Sequence, residues 1–234
     1  MKQETQESIA NHAAKEYPRE CCGLILNESG HEAYFPCRNM AVGTDNFQLH
    51  PVDYLAAEKR GQIMAVVHSH PDSLPDPSQA DKVACEATGL PWHIIGWPTL
   101  RWAFIEPSGY KAPLLGRQWS HGVLDCYSLI RDWYRDERGI ELMDFARNDE
   151  WWRHGDNLYE DNFQLAGFEE TREEIEIGDV ILMQVLSDVP NHAGIYIGQG
   201  MMLHHLFNRL SCREVYGGYW RRHTRRILRY REGI

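Results

Sequence analysis

Two short stretches concentrate the residue types that do chemistry. The first, HSHPDSLPDPSQAD from His68 to Asp81, holds two histidines, three prolines and three aspartates directly after the apolar run QIMAVV. Pro, Asp and Ser are also ordinary turn residues, so composition alone would suit a surface loop. The spacing adds more. On an extended segment residues two apart point the same way, so His68 and His70 present two imidazoles to one side at the end of a buried strand. Asp81 falls on the first turn of a helix predicted over 78–88, from which its carboxylate can fold back toward them. Two imidazole nitrogens and one carboxylate oxygen leave a fourth tetrahedral position open, which is the ligand count of catalytic zinc. Such a site needs a general base, and Glu20, in PRECCGLIL at the start of the first apolar strand, is the leading candidate.

The second stretch is LDCYSLIRDWYRDERG. Cys126 follows Asp125 and opens a predicted helix, where free backbone N–H groups and the helix dipole favour a thiolate. A thiolate needs an imidazole, and His192 begins the predicted strand HAGIYIG. An orienting partner for His192 is available in MMLHHLF, where His204 and His205 point to opposite faces, so only one of them can reach it. Cys21, Cys22, Cys37, Cys85 and Cys212 lie in apolar or strand-like contexts and are expected to pack. The cysteines have no even spacing and no CxxC, which suggests neither a disulfide framework nor a Cys-rich zinc knuckle.

Two different patterns must position these residues. The first half alternates: a helix in QESIANHAAKEY ended by Pro18, a near-hairpin in CGLILNESGHEAYFP, a helix that starts at Pro51 with Gly61 just past its end, the strand QIMAVVHSHP, a helix closed by Gly89, and the strands WHIIGW and RWAFIEP. That interleaving predicts an α/β domain, helices flanking a mixed sheet. EPSGYKAPLLG has no helical or strand period and reads as a boundary. Beyond it come a helix, Trp-rich polar segments to about Gly167, and then GDVILMQVL, HAGIYIG, MMLHHLF, LSCREVY and RRILRYR. Helices followed by an antiparallel meander predict an α+β domain. We expect domains at 1–110 and 118–234 with a linker at 111–117.

Bulk properties narrow the function classes. With 43% hydrophobic and 25% charged residues the 234-residue chain has ordinary globular composition. A formal charge of −10 argues against nucleic acid as the main partner. No apolar run reaches the roughly 18 residues a membrane span needs, and MKQETQESIANH lacks the order of a signal peptide, which predicts residence in a cytoplasm. The C-terminal RRHTRRILRYREGI carries six Arg against one Glu and reads as a last strand with a solvated basic face, or as a docking surface for an acidic partner.

Residues 1 to about 110 resemble the JAB/MPN metallopeptidase family. Its P-x-E-x-C-G, H-x-H-P and P-S-x-x-D elements are matched by Pro18, Glu20, Cys22 and Gly23, by His68, His70 and Pro71, and by Pro77, Ser78 and Asp81. The resemblance implies that His68, His70 and Asp81 bind one zinc ion, that Glu20 accepts the proton of the metal-bound water, and that Ser78 supports the oxyanion. Ser78 also suits the N-cap of the following helix. Residues 116 to about 215 resemble the NlpC-type papain-like peptidases of bacterial cell walls, through Gly116, Trp119, Gly122, Asp125 and Cys126, then Gly178 and Asp179, then His192, Gly194, Ile195, Tyr196, Ile197 and Gly198. The family's spacing implies His204 as the third catalytic residue, with His205 a bystander. Two departures put substrate fit in question: DCYS stands for the usual D-C-S-G, and Trp119 stands where a tyrosine near the nucleophile is usual.

The two domains in this order resemble tail tip assembly proteins of lambda-like long-tailed phages. This implies a peptidase that cuts peptidoglycan peptides, made in the host cytoplasm and carried at the virion tail tip beside other tail tip proteins. It would act in tail assembly and in local wall degradation during DNA entry. The alternative is a structural tail component whose sites process or position a partner tail protein. A housekeeping wall hydrolase of a bacterium would need an export signal or wall-binding repeats, and neither is found.

Overall fold

The computed structural model describes residues 1–231, so the last three residues of the basic C-terminal stretch lie outside the described residues. The chain divides into two compact units, Met1–Lys111 and a second beginning at Ala112.

The first unit runs α1 (Gln3–Glu16), β1 (Cys22–Glu28), β2 (His31–Cys37), α2 (Pro51–Arg60), β3 (Gln62–Pro71), α3 (Gln79–Thr88), β4 (Trp92–Trp97) and β5 (Arg101–Ile105). Its sheet has the order β2-β1-β3-β4-β5. Only β3 and β4 pair in parallel, so the sheet is mixed, as the interleaved pattern predicts. Alternation along the strands separates two apolar faces. Ile25, Ala65, Val67 and Ile95 pack against Ile9 and Ala13, spaced four apart on α1. Leu24, Leu26, Val66 and Trp92 pack against Ala57 of α2 and Cys85 of α3. His68 and His70 continue the Val66 side, which directs them toward α3.

The ends of these helices are chemically marked. Pro51 occupies the first turn of α2, and His50 Nδ1 accepts the Val52 N–H at 3.1 Å. On α3, the Ser78 hydroxyl accepts the Asp81 N–H at 3.0 Å and the Asp81 carboxylate accepts the Ser78 N–H at 2.7 Å, a reciprocal capping box. Gly89 closes α3 in the left-handed region with φ 64°.

The second unit runs α4 (Cys126–Arg138), α5 (Leu158–Asn162), β6 (Phe168–Glu170), β7 (Val180–Met183), β8 (His192–Gly198), β9 (Met201–His204), β10 (Cys212–Val215), α6 (Gly218–His223) and β11 (Thr224–Tyr230). Asp125 caps α4 by accepting the Ser128 N–H at 2.8 Å. The buried stripe Leu129, Ile130, Trp133 and Tyr134 meets Ala193, Ile195 and Leu203 of the sheet. The sheet is antiparallel, in the order β10-β9-β8-β7-β11-β6.

Here the meander expectation holds only for β7 to β10. The last strand returns to lie between β7 and β6, where Arg226 and Arg229 pair within the unit, while Arg221, Arg222, Arg225 and Arg231 of the basic stretch stay exposed. Arg229 grips Asp179, the aspartate of the Gly-Asp pair, with Nε at 2.9 Å and Nη2 at 2.8 Å. Arg226 Nε lies 2.8 Å from Glu160 and the same guanidinium also pairs with Glu170. The short elements α5, β6 and α6 escape sequence reading because none is long enough to show a period. No helix among the described residues is long and apolar enough to cross a membrane.

Candidate active sites

In the first unit, β3 ends where α3 begins to cover it. His68 is buried and His70 is half-buried, and their Nε2 atoms lie 3.0 Å apart. Asp81, the third residue of α3, reaches back with Oδ1 at 3.2 Å from His68 Nε2 and Oδ2 at 3.4 Å from His70 Nε2. His70 Nδ1 faces the Leu74 carbonyl at 3.1 Å, which holds the ring proton on Nδ1 and leaves the Nε2 lone pair aimed at the group. His68 is stacked on Phe47 at 4.6 Å, and Trp92 stands edge-on to it. The loop between β3 and α3 must pass close to β4. A Cβ at Gly96 would lie 2.8 Å from the Ser73 carbonyl oxygen, so glycine is required there.

A tetrahedral ion bonded to nitrogen and oxygen at about 2.0–2.2 Å separates its ligand atoms by roughly 3.3–3.6 Å. The observed separations of 3.0 to 3.4 Å are close to that, so this donor set fits one zinc ion. Glu20 is 6% exposed at the head of β1, pinned beside the end of β3 because Cys21 N–H donates to Ser69 Oγ at 2.8 Å and Ser69 N–H to the Cys21 carbonyl at 3.1 Å. Burial pushes the Glu20 carboxyl up to about 8, with the nearby Asp81 charge adding to the rise and His70 opposing it.

In the second unit, Cys126 sits at the first turn of α4 and opens into a cleft of about 270 Å³ that His192 also lines. The walls include Trp119, Trp151, Trp152 and Phe207, with Glu150 and Arg153 among the charged groups. The Cys126 sulfur lies 3.0 Å from the Tyr159 hydroxyl and accepts a hydrogen bond from the Ala193 backbone. His192 Nε2 meets His204 Nδ1 at 3.0 Å, and His204 Nε2 meets Glu214 Oε2 at 3.0 Å. Both rings pack on Trp220, His204 edge-on at 4.7 Å. His205 turns to the other face, where Nε2 donates to the Arg209 carbonyl at 3.0 Å and the ring packs on Trp119.

Residues 2–105 match the prokaryotic homologs of the JAB domain, and residues 116–229 match the NlpC/P60 family. The chain is similar to tail tip assembly protein K of Escherichia phage N15, with 46% identity over 235 residues covering 99% of this chain and 96% of that protein. It is also similar to tail tip assembly protein K of Escherichia phage lambda, with 44% identity over 182 residues covering 77% of this chain and 88% of that protein. The chain belongs to the tail tip assembly protein K family. Within this K-family chain the second unit is a member of a cysteine peptidase family.

Several features of the K-family site were not foreseen. The phenol beside the nucleophile comes from Tyr159 on α5, while Trp119 packs edge-on against His205 and Phe207. Glu214 extends the histidine pair, and Arg147 braces the nucleophile's helix through Asp125. Cys212 is exposed, contrary to the expectation of packing.

The thiolate expectation is also reversed. Burial pushes the Cys126 thiol up to about 11 and the Asp125 charge adds to it, against the hydrogen bonds from Tyr159 and Ala193 and the more distant Arg147 charge. His192 is held well below the ordinary histidine range by burial, then by His204 and His205. The resting pair is therefore neutral thiol and neutral imidazole. A thiol with a raised pKa stays protonated, and unreactive, until pH approaches it. Alkylation of Cys126 by iodoacetamide, followed at its own peptide by mass spectrometry, should keep rising through the ordinary cysteine range near 8.5. A plateau reached below pH 7 would mark a thiolate–imidazolium pair and overturn this assignment.

Gly194 explains part of the HAGIYIG pattern. It is the register partner of His204, and a Cβ there would lie 3.1 Å from the His204 Cβ and 3.3 Å from the Leu203 carbonyl oxygen. Gly194→Ala should cost about 1–3 kcal/mol by overpacking. Urea unfolding of the variant measures it, and an unchanged midpoint would show that His204 has room to yield.

Proposed function

We propose that this chain is a phage tail tip protein whose second unit is an endopeptidase acting on peptidoglycan peptides, in tail assembly and in local wall degradation during DNA entry. The observation that carries the reading is the hydrogen-bonded series His192–His204–Glu214, its two imidazoles buried and its carboxylate exposed, which runs to a cleft that holds Cys126. A carboxylate only accepts hydrogen bonds, so Glu214 takes the His204 Nε2–H, His204 Nδ1 then accepts the His192 Nε2–H, and His192 Nδ1 is left with the lone pair. That nitrogen takes the thiol proton as Cys126 attacks an amide carbonyl, and returns it to the departing amine. Water then hydrolyses the thioester, with His192 again as base. Tyr159, 3.0 Å from the sulfur, orients the thiol and can donate to the substrate. The aromatic walls and flanking charges of the cleft suit a short, branched, charged peptide.

For the first unit we propose a zinc site of His68, His70 and Asp81. An ion there supplies a Lewis acid that polarises a peptide carbonyl and lowers the pKa of water to about 7. Glu20, held protonatable by its burial, carries a proton to the departing amine, and the Ser78 hydroxyl, which accepts from Asp81 N–H, keeps its own hydrogen for the carbonyl oxygen. The names of the phage relatives support a place in tail tip assembly, with other tail tip proteins as partners; we propose synthesis in the host cytoplasm before that.

Release of soluble muropeptides from purified peptidoglycan by the wild type tests the reading, with end-group analysis of the new amines and zinc content measured alongside. No release from the protein in either its zinc-free or its zinc-loaded form would leave the alternative, a structural component whose sites process or position a neighbouring tail protein.

A further inference from the structure

His204, the middle member of the histidine–carboxylate series, is also one corner of a second donor group. His204 and Cys212 are register partners on β9 and β10, and Glu214 lies two residues further along β10 on the same face. His204 Nε2 is 3.6 Å from Cys212 Sγ and 3.0 Å from Glu214 Oε2, and the three donor atoms lie within 4.8 Å of one another. Zinc bonds of about 2.0–2.1 Å to nitrogen and 2.3 Å to sulfur give a tetrahedral N···S edge of about 3.6 Å. The side chains of β10 face solvent while His204 is 2% exposed, so an ion arriving from outside meets the thiol and carboxylate first and the imidazole last. Three protein donors leave the fourth position to water or to an anionic ligand.

We propose that His204 Nε2, Cys212 Sγ and the Glu214 carboxylate bind a thiophilic divalent cation of the zinc class, and that its binding switches the Cys126 site off by reversing the direction of the His192–His204 hydrogen bond. The switching half rests on the reading of Cys126 and His192 as nucleophile and base; the binding half does not. Without the ion, Glu214 keeps the His204 proton on Nε2, and His192 Nδ1 carries the lone pair the thiol needs. With the ion, the His204 Nε2 lone pair is committed to it. A neutral imidazole has one ring proton, which now sits on His204 Nδ1 and donates to His192 Nε2. His192 must then hold its own proton on Nδ1, where nothing remains to accept one from Cys126. The Cys212 thiol proton is released to solvent as the ion binds, and the ring protons exchange through solvent, so charge and atoms balance.

Cobalt(II) titration of the full chain reads the site directly, because thiolate ligation gives a sulfur-to-cobalt charge-transfer band and the His68, His70 and Asp81 group contains no sulfur. The band is expected in the wild type, in His68→Ala/His70→Ala and in Cys126→Ala, and is expected to vanish in Cys212→Ser. No band in the wild type, survival in Cys212→Ser, or loss in Cys126→Ala would overturn the site. The switch is read by the alkylation rate of Cys126 at fixed pH. Zinc sufficient to displace the cobalt band should lower it roughly a hundredfold in the wild type, the lower end of what a positioned base contributes. Each variant is compared with itself, and Cys212→Ser should show equal rates with and without zinc. Equal rates in the wild type, with the band present, would overturn the switch. Neither readout uses peptidoglycan, so failure of the wall-peptide reading leaves both intact, and failure of this site leaves zinc-free muropeptide release intact.

Discussion

Cys126→Ala should lower muropeptide release by roughly a thousandfold or more, while His68→Ala/His70→Ala keeps it near the wild-type level. The size follows from the arrangement. Nucleophile and base act as one unit, so His192→Ala should cost about as much, and the Cys126→Ala/His192→Ala double variant little more than either single one. His204→Ala should cost less, because His204 orients His192 through the 3.0 Å Nε2–Nδ1 contact and touches neither the thiol nor the substrate. Far-ultraviolet circular dichroism separates lost chemistry from lost folding. Release that persists in Cys126→Ala would move the cutting site elsewhere; release lost in His68→Ala/His70→Ala would assign it to the first unit.

Arg147→Met should destabilise the second unit by about 3–5 kcal/mol, the usual cost of leaving a buried charge without its partner. Asp125 is 2% exposed, and its Oδ2 takes Arg147 Nε at 2.7 Å and Gly122 N–H at 2.9 Å, while Oδ1 caps α4 through Ser128. Arg147 is 9% exposed and fully committed, donating also to Asp144 at 2.8 Å and to the Phe145 carbonyl at 2.6 Å. Despite burial, Arg147 and the Ser128 N–H hold the Asp125 carboxyl below the ordinary aspartate range. Its stabilising share is therefore present above the unfolded value near 3.9 and lost as pH falls through the lower folded one. Urea unfolding followed by tryptophan fluorescence measures the loss. Asp125→Asn/Arg147→Met should recover part of it, because no charge is then stranded. A loss below about 1 kcal/mol would show that water reaches Asp125 freely. The variant should also blunt Cys126 reactivity, since the cap it loosens sets the turn that carries the thiol.

What could be read in advance was local. The two-residue period brings His68 and His70 to one side, and a Ser-x-x-Asp helix start explains both the Ser78 cap and the returning Asp81 carboxylate, because each relation lies within a few residues of chain. The α/β alternation of the first half and the helix that opens at Cys126 were legible on the same grounds. The choice between His204 and His205 was not, since adjacent strand residues differ only in face, and the register that sets His204 opposite Gly194 decides which face meets His192. Tyr159, Arg147 and Glu214 carry no local signal at all. They reach the site across 33 residues from Cys126, 22 from Asp125 and 10 from His204, through the placement of α5, the burial of a loop arginine and the pairing of β10 on β9. Sheet order decided the rest: the last strand enters between β7 and β6, where Arg229 finds Asp179 and Arg226 finds Glu160 and Glu170, so two arginines of a basic run that reads as solvated turn to internal pairing while the others stay exposed. Local periodicity depends only on neighbouring residues in the chain, whereas register, strand order and buried charge pairing depend on which distant segments the core brings together, and that is settled only when the whole unit packs.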